Sequence, residues 1–113
     1  MQNEEYGFDN ELFGLLLKRE RANRYRRVDE FVAAVKEKTG RVISKDSYYK
    51  YEKGTMKLAT ADVMAINLTL FGRMNAPEYW RMVYTAAPRE WNDIEEDAER
   101  ERIDHIMNSN ALS

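Results

Sequence analysis

The residues best suited to chemistry lie in one short segment, SKDSYYKYEKGTMK, at positions 44–57. The segment contains four lysines and begins with Ser44, a residue type that caps helix N-termini. Gly54 follows Lys53 and is placed to end a helix there. A cationic helix with aromatic residues on its inner side suits the major groove of DNA, which admits one α-helix bordered by phosphates. An ordinary solvated helix would have a similar composition, so the rest of the chain has to distinguish the two.

Charge is distributed unevenly along the chain. Residues 1–17 contain four acidic residues and no basic ones, residues 18–57 contain 13 Lys or Arg and six acids, and residues 58–113 contain five Arg and ten acids. The formal net charge is only −2. Nucleic acid responds to the local potential of a surface, so the basic centre is more informative than this total. Charge blocks of this kind are also common on solvated helix faces.

Composition and motif content exclude several classes of protein. The 113 residues are enough for one domain and a tail, and the absence of cysteine excludes disulfides and thiolate sites. The chain has no apolar run of about 18 residues and its N-terminus is acidic, unlike a signal peptide, so we expect a cytoplasmic protein without membrane contact. The single histidine, His105, has no neighbouring ligands, and phosphate-loop and nucleophile motifs are absent. We therefore expect no metal, no cofactor and no enzymatic activity.

Apolar residues recur at helical spacing through most of the chain, so an all-α fold is predicted. Predicted helices cover residues 10–23, with Asn10 as the N-cap, and then residues 28–39, 44–53, 60–71 and 76–87. A charged final helix is expected from about Trp91 to Met107, after the interruption at Pro88. No strand pattern of convincing length is present.

The pair Phe13-Gly14 and the run Tyr51-Glu52-Lys53-Gly54 stand in consistent register with apolar positions of the fourth predicted helix. In this arrangement the chain resembles the lambda-repressor-like helix-turn-helix domains of phage and bacterial regulators, the xenobiotic-response-element family. The resemblance implies an all-α bundle of about five helices plus a charged C-terminal helix. It also implies a DNA-binding domain at residues 1–75 and a helical extension at residues 76–113. The stretch between the second and third helices is several residues longer than is usual in the family. The resemblance covers residues 13–72 and rests on Phe13-Gly14, the run Tyr51-Glu52-Lys53-Gly54, and Val63, Ile66, Leu70 and Gly72 in register.

The resemblance implies roles for individual side chains. Arg21 and Glu52 match the positions of an Arg–Glu ion pair that joins the first and third helices, and we assign them to structure. Tyr48 and Tyr51 match inward positions of the third helix. Base contacts are implied for Lys45, Asp46, Tyr49 and Lys50, and phosphate contacts for Arg26, Arg27, Ser44, Lys53, Thr55 and Lys57.

The C-terminal third is expected to be a dimerisation or partner-binding arm. One domain of this kind reads few bases, and dimers align two half-sites about one helical turn apart. Apolar residues change faces along the last helix, which disfavours a continuous coiled coil. The candidate contact residues are Trp80, Tyr84, Trp91, Ile94, Ile103 and Ile106.

These observations predict a sequence-specific regulator that binds double-stranded DNA, acting as a homodimeric repressor without a cofactor. An alternative is a module that keeps the fold but binds a protein partner through the acidic arm, like an antirepressor or an antitoxin. A third interpretation joins the two, because the acidic arm would cover the basic surface and inhibit DNA binding until released.

Overall fold

The computed structural model describes residues 4–5 and 7–112, and the side chains of residues 7–109. Two strands, Glu4–Glu5 (β1) and Phe8–Asp9 (β2), pair in antiparallel register before the first helix. With only two residues each, they are too short to leave an alternating pattern in the sequence. The predicted all-α class is confirmed. The helices are Asn10–Arg24 (α1), Val28–Thr39 (α2), Lys45–Lys53 (α3), Thr60–Phe71 (α4), Pro77–Ala86 (α5) and Glu90–Leu112 (α6).

Three of the helices end at a glycine in the left-handed backbone conformation. Gly40, Gly54 and Gly72 have φ values of 79°, 77° and 82°, and they follow α2, α3 and α4. Glycine adopts positive φ at little cost because it has no Cβ. These helix ends lie where the sequence predicts them.

Two predicted boundaries are wrong. The cap of α1 is Asp9, whose Oδ1 accepts a hydrogen bond from the N–H of Leu12 at 2.9 Å, and Asn10 is the first helical residue. Asp and Asn are both good caps, so the chain chooses between neighbours by geometry. The last helix begins at Glu90 and continues to Leu112, beyond the predicted end at Met107. No glycine or proline follows Pro88, so nothing in the sequence interrupts the helix earlier.

The core lies between α1, α2, α3, α4 and α5, where the side chains of Leu17, Phe31, Val35, Tyr48 and Ile66 are almost completely buried. The Phe31 and Tyr48 rings are 5.1 Å apart, and this contact joins α2 to α3. Each large apolar side chain buried in this way contributes about 1.5–3 kcal/mol. The fixed position of α3 therefore follows from its aromatic inner side.

The last two helices differ in their packing. α5 lies against α1, where Met82 and Ala86 are buried and Tyr79 meets Phe13 edge-on at 5.8 Å between ring centroids. Every residue from Arg89 to Ser109 is exposed, so α6 projects from the other helices. The described chain is consequently elongated, with a longest dimension of 59 Å. Among the described residues, no helix has the length and apolar character needed to cross a membrane.

Candidate nucleic-acid interface

The two sides of α3 have opposite character. A helix turns by ~100° per residue, so residues three and four apart share a face. The inner side carries Tyr48, Tyr51 and Glu52, all of which are buried. The opposite arc of about 140° contains only exposed side chains, which we call the α3 outer face. Its members are Lys45, Asp46, Tyr49, Lys50 and Lys53.

The predicted ion pair between Arg21 and Glu52 is present, and both side chains are buried. Nε and Nη2 of Arg21 donate to the two carboxylate oxygens of Glu52 at 2.9 and 3.0 Å, a bidentate geometry. Nη1 of Arg21 donates to the carbonyl oxygens of Tyr25 and Arg26, both at 3.0 Å. The hydrogen bonds with Glu52 raise the pKa of Arg21 above its usual value. One guanidinium thus joins the end of α1, the α1–α2 turn and the end of α3.

Two glycines allow the backbones of α1 and α3 to approach each other. A Cβ on Gly14 would lie 2.3 Å from the carbonyl oxygen of Glu52, and a Cβ on Gly54 would lie 2.5 Å from the carbonyl oxygen of Asn10. Both distances are shorter than van der Waals contact, so these positions require glycine unless the helices separate. α3 is therefore placed against α1 at both points.

A second network, partly buried, joins α3 to α4. The Tyr51 hydroxyl donates to Oδ2 of Asp62 at 2.5 Å, and Nε of Arg41 donates to Oδ1 at 2.7 Å. Burial raises the pKa of Tyr51, and its hydrogen bond to Asp62 acts in the same direction. Sequence reasoning missed this network because its members lie 10 or more residues apart and have no characteristic spacing.

Tyr48 carries a buried polar atom without a partner. Its hydroxyl forms no hydrogen bond of good geometry with the described part of the chain. It lies close enough to the Arg21–Glu52 pair to interact electrostatically with both side chains. Burial raises the pKa of Tyr48, and the nearby Glu52 charge acts in the same direction. The ring is therefore a core element whose hydroxyl adds little stability.

The residues predicted to contact phosphate fall into distinct environments. Ser44 caps α3 and accepts from the N–H of Ser47 at 3.0 Å, and the Thr55 hydroxyl donates to the carbonyl of Lys50 at 3.4 Å. Both hydroxyls therefore already have partners in the protein. Lys53 lies on the α3 outer face, and Arg26 is exposed beside the Arg21 network.

The other two candidates for phosphate contact are Arg27, which pairs with an acidic side chain, and Lys57, which lies away from the α3 outer face. The Arg27 guanidinium makes a bidentate contact with Asp29, at 3.1 and 3.0 Å, which lowers the pKa of that carboxyl. Lys57 follows α3 and lines a pocket of about 250 Å³ with Asn10 and Trp80, so it is grouped with α1 and α5. The structure does not bring it to the α3 outer face.

A groove next to the α3 outer face was not predicted from the sequence. It has a volume of about 400 Å³ and runs between α1 and α3, and we call it the α1–α3 groove. Its apolar surface comes from Leu15 and Tyr49, which are 56% and 41% exposed. Helical spacing could have placed Leu15 and Lys18 on one face of α1, but not opposite α3. The groove is lined by Glu11, Leu15, Lys18, Arg21, Tyr49, Glu52 and Lys53.

Among the described residues, unpaired lysines are concentrated on the α3 outer face and at the adjoining Lys18. In the part of the chain that the structure describes, Lys18, Lys45, Lys50 and Lys53 form no ion pair with an acidic side chain. Asp46 is the single acidic member of the α3 outer face. The lysines therefore present their charge to solvent.

The candidate dimer or partner residues are all exposed, with fractions between 44% and 64%. Trp80 and Tyr84 form a ring pair on α5 with centroids 6.2 Å apart, and Nε1 of Trp80 donates to Oδ1 of Asn75 at 2.6 Å. These aromatic side chains are held in place at the surface. The remaining candidates, Trp91, Ile94, Ile103 and Ile106, are distributed along α6.

Among the described residues, no group of three or more His, Asp or Glu side chains is arranged to hold a metal ion. Comparisons of the chain with protein-family models, with curated proteins and with solved structures find no match. The interpretation of the surface around α3 therefore depends on its own geometry and charge.

Proposed function

We propose that this protein is a sequence-specific DNA-binding regulator that inserts α3 into the major groove. The main support is the contrast between the two sides of α3. Its outer face is exposed and cationic, whereas its inner side is fixed by the Arg21–Glu52 pair and by buried tyrosines. A rigid helix of this width fits a major groove about 12 Å wide, and the lysines match its phosphate borders.

Four side chains of the α3 outer face have chemistry that reads base edges. Lys45 and Lys50 would donate to guanine O6 and N7, and Asp46 would accept from the cytosine N4 amino group. The ring of Tyr49 would contact a thymine methyl group. Asp46 near phosphates is unfavourable unless it meets such a donor, so we assign it to specificity and not to affinity.

Phosphate contacts would set the position of the helix on the duplex. The N-terminus of α3 at Ser44 carries the positive end of the helix dipole, which favours a phosphate. Lys53 and Arg26 also have exposed side chains. To contact phosphate, Arg27 would have to release Asp29, and Thr55 would have to release the carbonyl of Lys50. Lys57 would contact a phosphate outside the α3 outer face.

We further propose a homodimeric repressor that acts in the cytoplasm without a cofactor. Occupation of an operator is enough to block transcription, and two copies would read two half-sites. The exposed aromatic residues Trp80, Tyr84 and Trp91, together with Ile94, supply an apolar surface for the dimer contact. Aromatic side chains of this kind are common in the centres of protein interfaces.

A second candidate function is a protein-interaction module that works through α6. This helix carries eight acidic residues and two arginines and is exposed along its described length. A basic partner protein would recognise such a helix. Under this alternative, Trp91→Ala or Ile94→Ala would abolish function, while Lys45→Ala with Lys50→Ala would have little effect.

The deciding experiment is a selection of genomic DNA fragments by the purified protein. Enriched fragments are then titrated at about 50 and about 200 mM salt, where each lost phosphate contact lowers the salt slope by about 0.9. The test variant is Lys45→Ala with Lys50→Ala. The matched control is Lys36→Ala with Lys38→Ala, which removes the same charge from exposed positions on α2.

Enrichment of a palindromic site that the test variant no longer binds, and that the control variant still binds, would support the proposal. Equal weakening by both variants would indicate attraction by charge alone. An absence of enrichment would count against DNA binding and favour the protein-interaction alternative.

A further inference from the structure

The middle of α6, from Glu95 to Ile106, presents a face that is both acidic and apolar. Glu95, Glu99, Ile103 and Ile106 lie within an arc of about 80° on this helix, given ~100° per residue. We call this arc the α6 docking face. Ile103 and Ile106 are 46% and 52% exposed. A surface that combines acidic and apolar groups in this way is suited to a basic partner with an apolar centre.

The α1–α3 groove has the complementary character. Leu15 and Tyr49 expose apolar surface inside it, while Lys18 and Lys53 carry charge at the same site. The two lysines form no ion pair with the described residues. The groove therefore offers an apolar contact and two cations, and the Glu11 carboxylate also lines it.

We propose that the α6 docking face of one copy binds in the α1–α3 groove of a second copy. Ile103 and Ile106 would cover the apolar surface of Leu15 and Tyr49. Glu95 and Glu99 would meet the cations of Lys18 and Lys53. Glu99 pairs with Arg102 on the helix surface and would exchange this partner, which costs little because exposed ion pairs are weak.

The occupant is a second copy because α6 leads away from the body of its own chain. All of its described side chains from Glu90 to Ser109 are exposed, and at ~34 Å the helix is long enough to reach a neighbouring molecule. Pairing of two α6 helices is disfavoured because each carries eight acids against two arginines. Charge directs α6 to the basic surface of the other copy instead.

Reciprocal exchange of α6 between two copies gives a closed pair with two-fold symmetry. The same contact covers Tyr49 and Lys53, which belong to the α3 outer face. Association through the groove and binding of DNA to α3 therefore exclude each other. The self-association itself does not require that the protein binds DNA.

The first test is the self-association of the full chain, measured by sedimentation at low and at moderate salt. The test variant is Glu95→Lys with Glu99→Lys. The matched control is Asp97→Lys with Glu101→Lys, which makes the same charge change at the same spacing on the opposite side of α6. Each variant also breaks one exposed ion pair, Glu99–Arg102 or Asp97–Arg100.

We expect the test variant to raise the dissociation constant about tenfold or more, since like charges would face each other in the groove. The control should change it by about twofold or less. Equal effects of both variants, or a dimer insensitive to the test variant, would overturn the inference. A monomeric wild-type chain at low salt would overturn it as well.

A mixing experiment tests the identity of the two surfaces. A chain with Lys18→Glu and Lys53→Glu should not associate alone, but it should bind the Glu95→Lys, Glu99→Lys chain. Failure of this pair to associate, with both variants folded by circular dichroism, would refute the assignment of the groove.

Addition of a short DNA duplex separates this inference from the proposed function. The test follows only the association that Glu95→Lys with Glu99→Lys weakens, because the dimer contact proposed on α5 is separate from the groove contact. Loss of this association on addition of the duplex supports a shared surface, and DNA binding that leaves it intact would refute the inference. The Glu95→Lys, Glu99→Lys chain has an open groove, so its failure to bind DNA would refute the proposed function and leave the groove contact standing.

Discussion

The buried pair of Arg21 and Glu52 leads to the sharpest prediction about stability. In Glu52→Leu, the guanidinium of Arg21 would stay buried with only the carbonyls of Tyr25 and Arg26 as acceptors. Removal of one partner from a buried ion pair costs about 3–5 kcal/mol, because the remaining charge has lost both water and its counter-ion. A domain of this size has a total stability of about 5–15 kcal/mol. The variant should therefore fold but lose a large part of its free energy of unfolding.

A double-mutant cycle isolates the contribution of the pair. Arg21→Met would leave the Glu52 carboxylate buried without its two donors, and we expect a similar loss of about 3–5 kcal/mol. The double variant, Arg21→Met with Glu52→Leu, leaves neither charge and should be clearly more stable than the sum of the single losses predicts. The coupling between the two positions should reach about 2 kcal/mol, near the upper end for contacting residues.

Urea unfolding followed by circular dichroism measures these free energies, and an unchanged slope would show that the unfolded state is comparable. The control pair is Glu20 and Arg24, which form an i,i+4 ion pair with partly exposed side chains. The same substitutions there should cost about 0.5 kcal/mol. A loss below about 1 kcal/mol in Glu52→Leu, or strict additivity in the double variant, would refute the role of this pair in holding α3.

Three further predictions concern the packing of α3 against the neighbouring helices. Gly14→Ala should lower the free energy of unfolding by about 2 kcal/mol, because a Cβ would lie 2.3 Å from the carbonyl oxygen of Glu52. A more stable variant in urea unfolding would contradict the close approach. Tyr48→Phe should leave stability unchanged or raise it by up to about 1 kcal/mol, because the hydroxyl has no partner among the described residues. A clear loss in the same assay would show that the hydroxyl is bonded. Stability should also fall as the pH rises above 10, because the pKa values of Tyr48 and Tyr51 are raised from 10.0 in the folded chain. Above pH 10 the unfolded chain loses the two phenol protons before the folded chain does, so the free energy of unfolding decreases. Below pH 10 both states keep these protons, and their contribution to the free energy of unfolding is constant. Urea midpoints measured at increasing pH should decline, and Tyr51→Phe should reduce the decline. A flat profile would contradict the prediction.

The helices and their ends could be predicted from the sequence because they depend on residues a few positions apart. Apolar spacing, the Ser44 cap and the interruption at Pro88 together located the helices that the structure describes, and Gly40, Gly54 and Gly72 ended three of them as expected. The choice of Asp9 over Asn10 as the cap of α1 was not predictable, since neighbouring residues of equal capping ability differ only in how the chain enters the helix.

The candidate site was predictable only in part. The exposure of Lys45, Asp46, Tyr49 and Lys50 follows from the spacing of residues along α3. The Arg21–Glu52 pair was inferred from a resemblance, since its members are 31 residues apart and no local rule joins them. The contact roles proposed for the α3 outer face remain predictions.

By itself, the sequence determined an all-α fold class, a basic centre and an acidic final helix. Composition and short-range backbone preferences are sufficient for those features. Only the tertiary structure decided that Leu15 and Lys18 face α3 across a groove, and that α6 leaves the other helices. The physical reason is that the meeting of two distant segments depends on packing summed over the whole core. Residues such as Gly14 permit that packing, but they do not reveal which backbone will approach them.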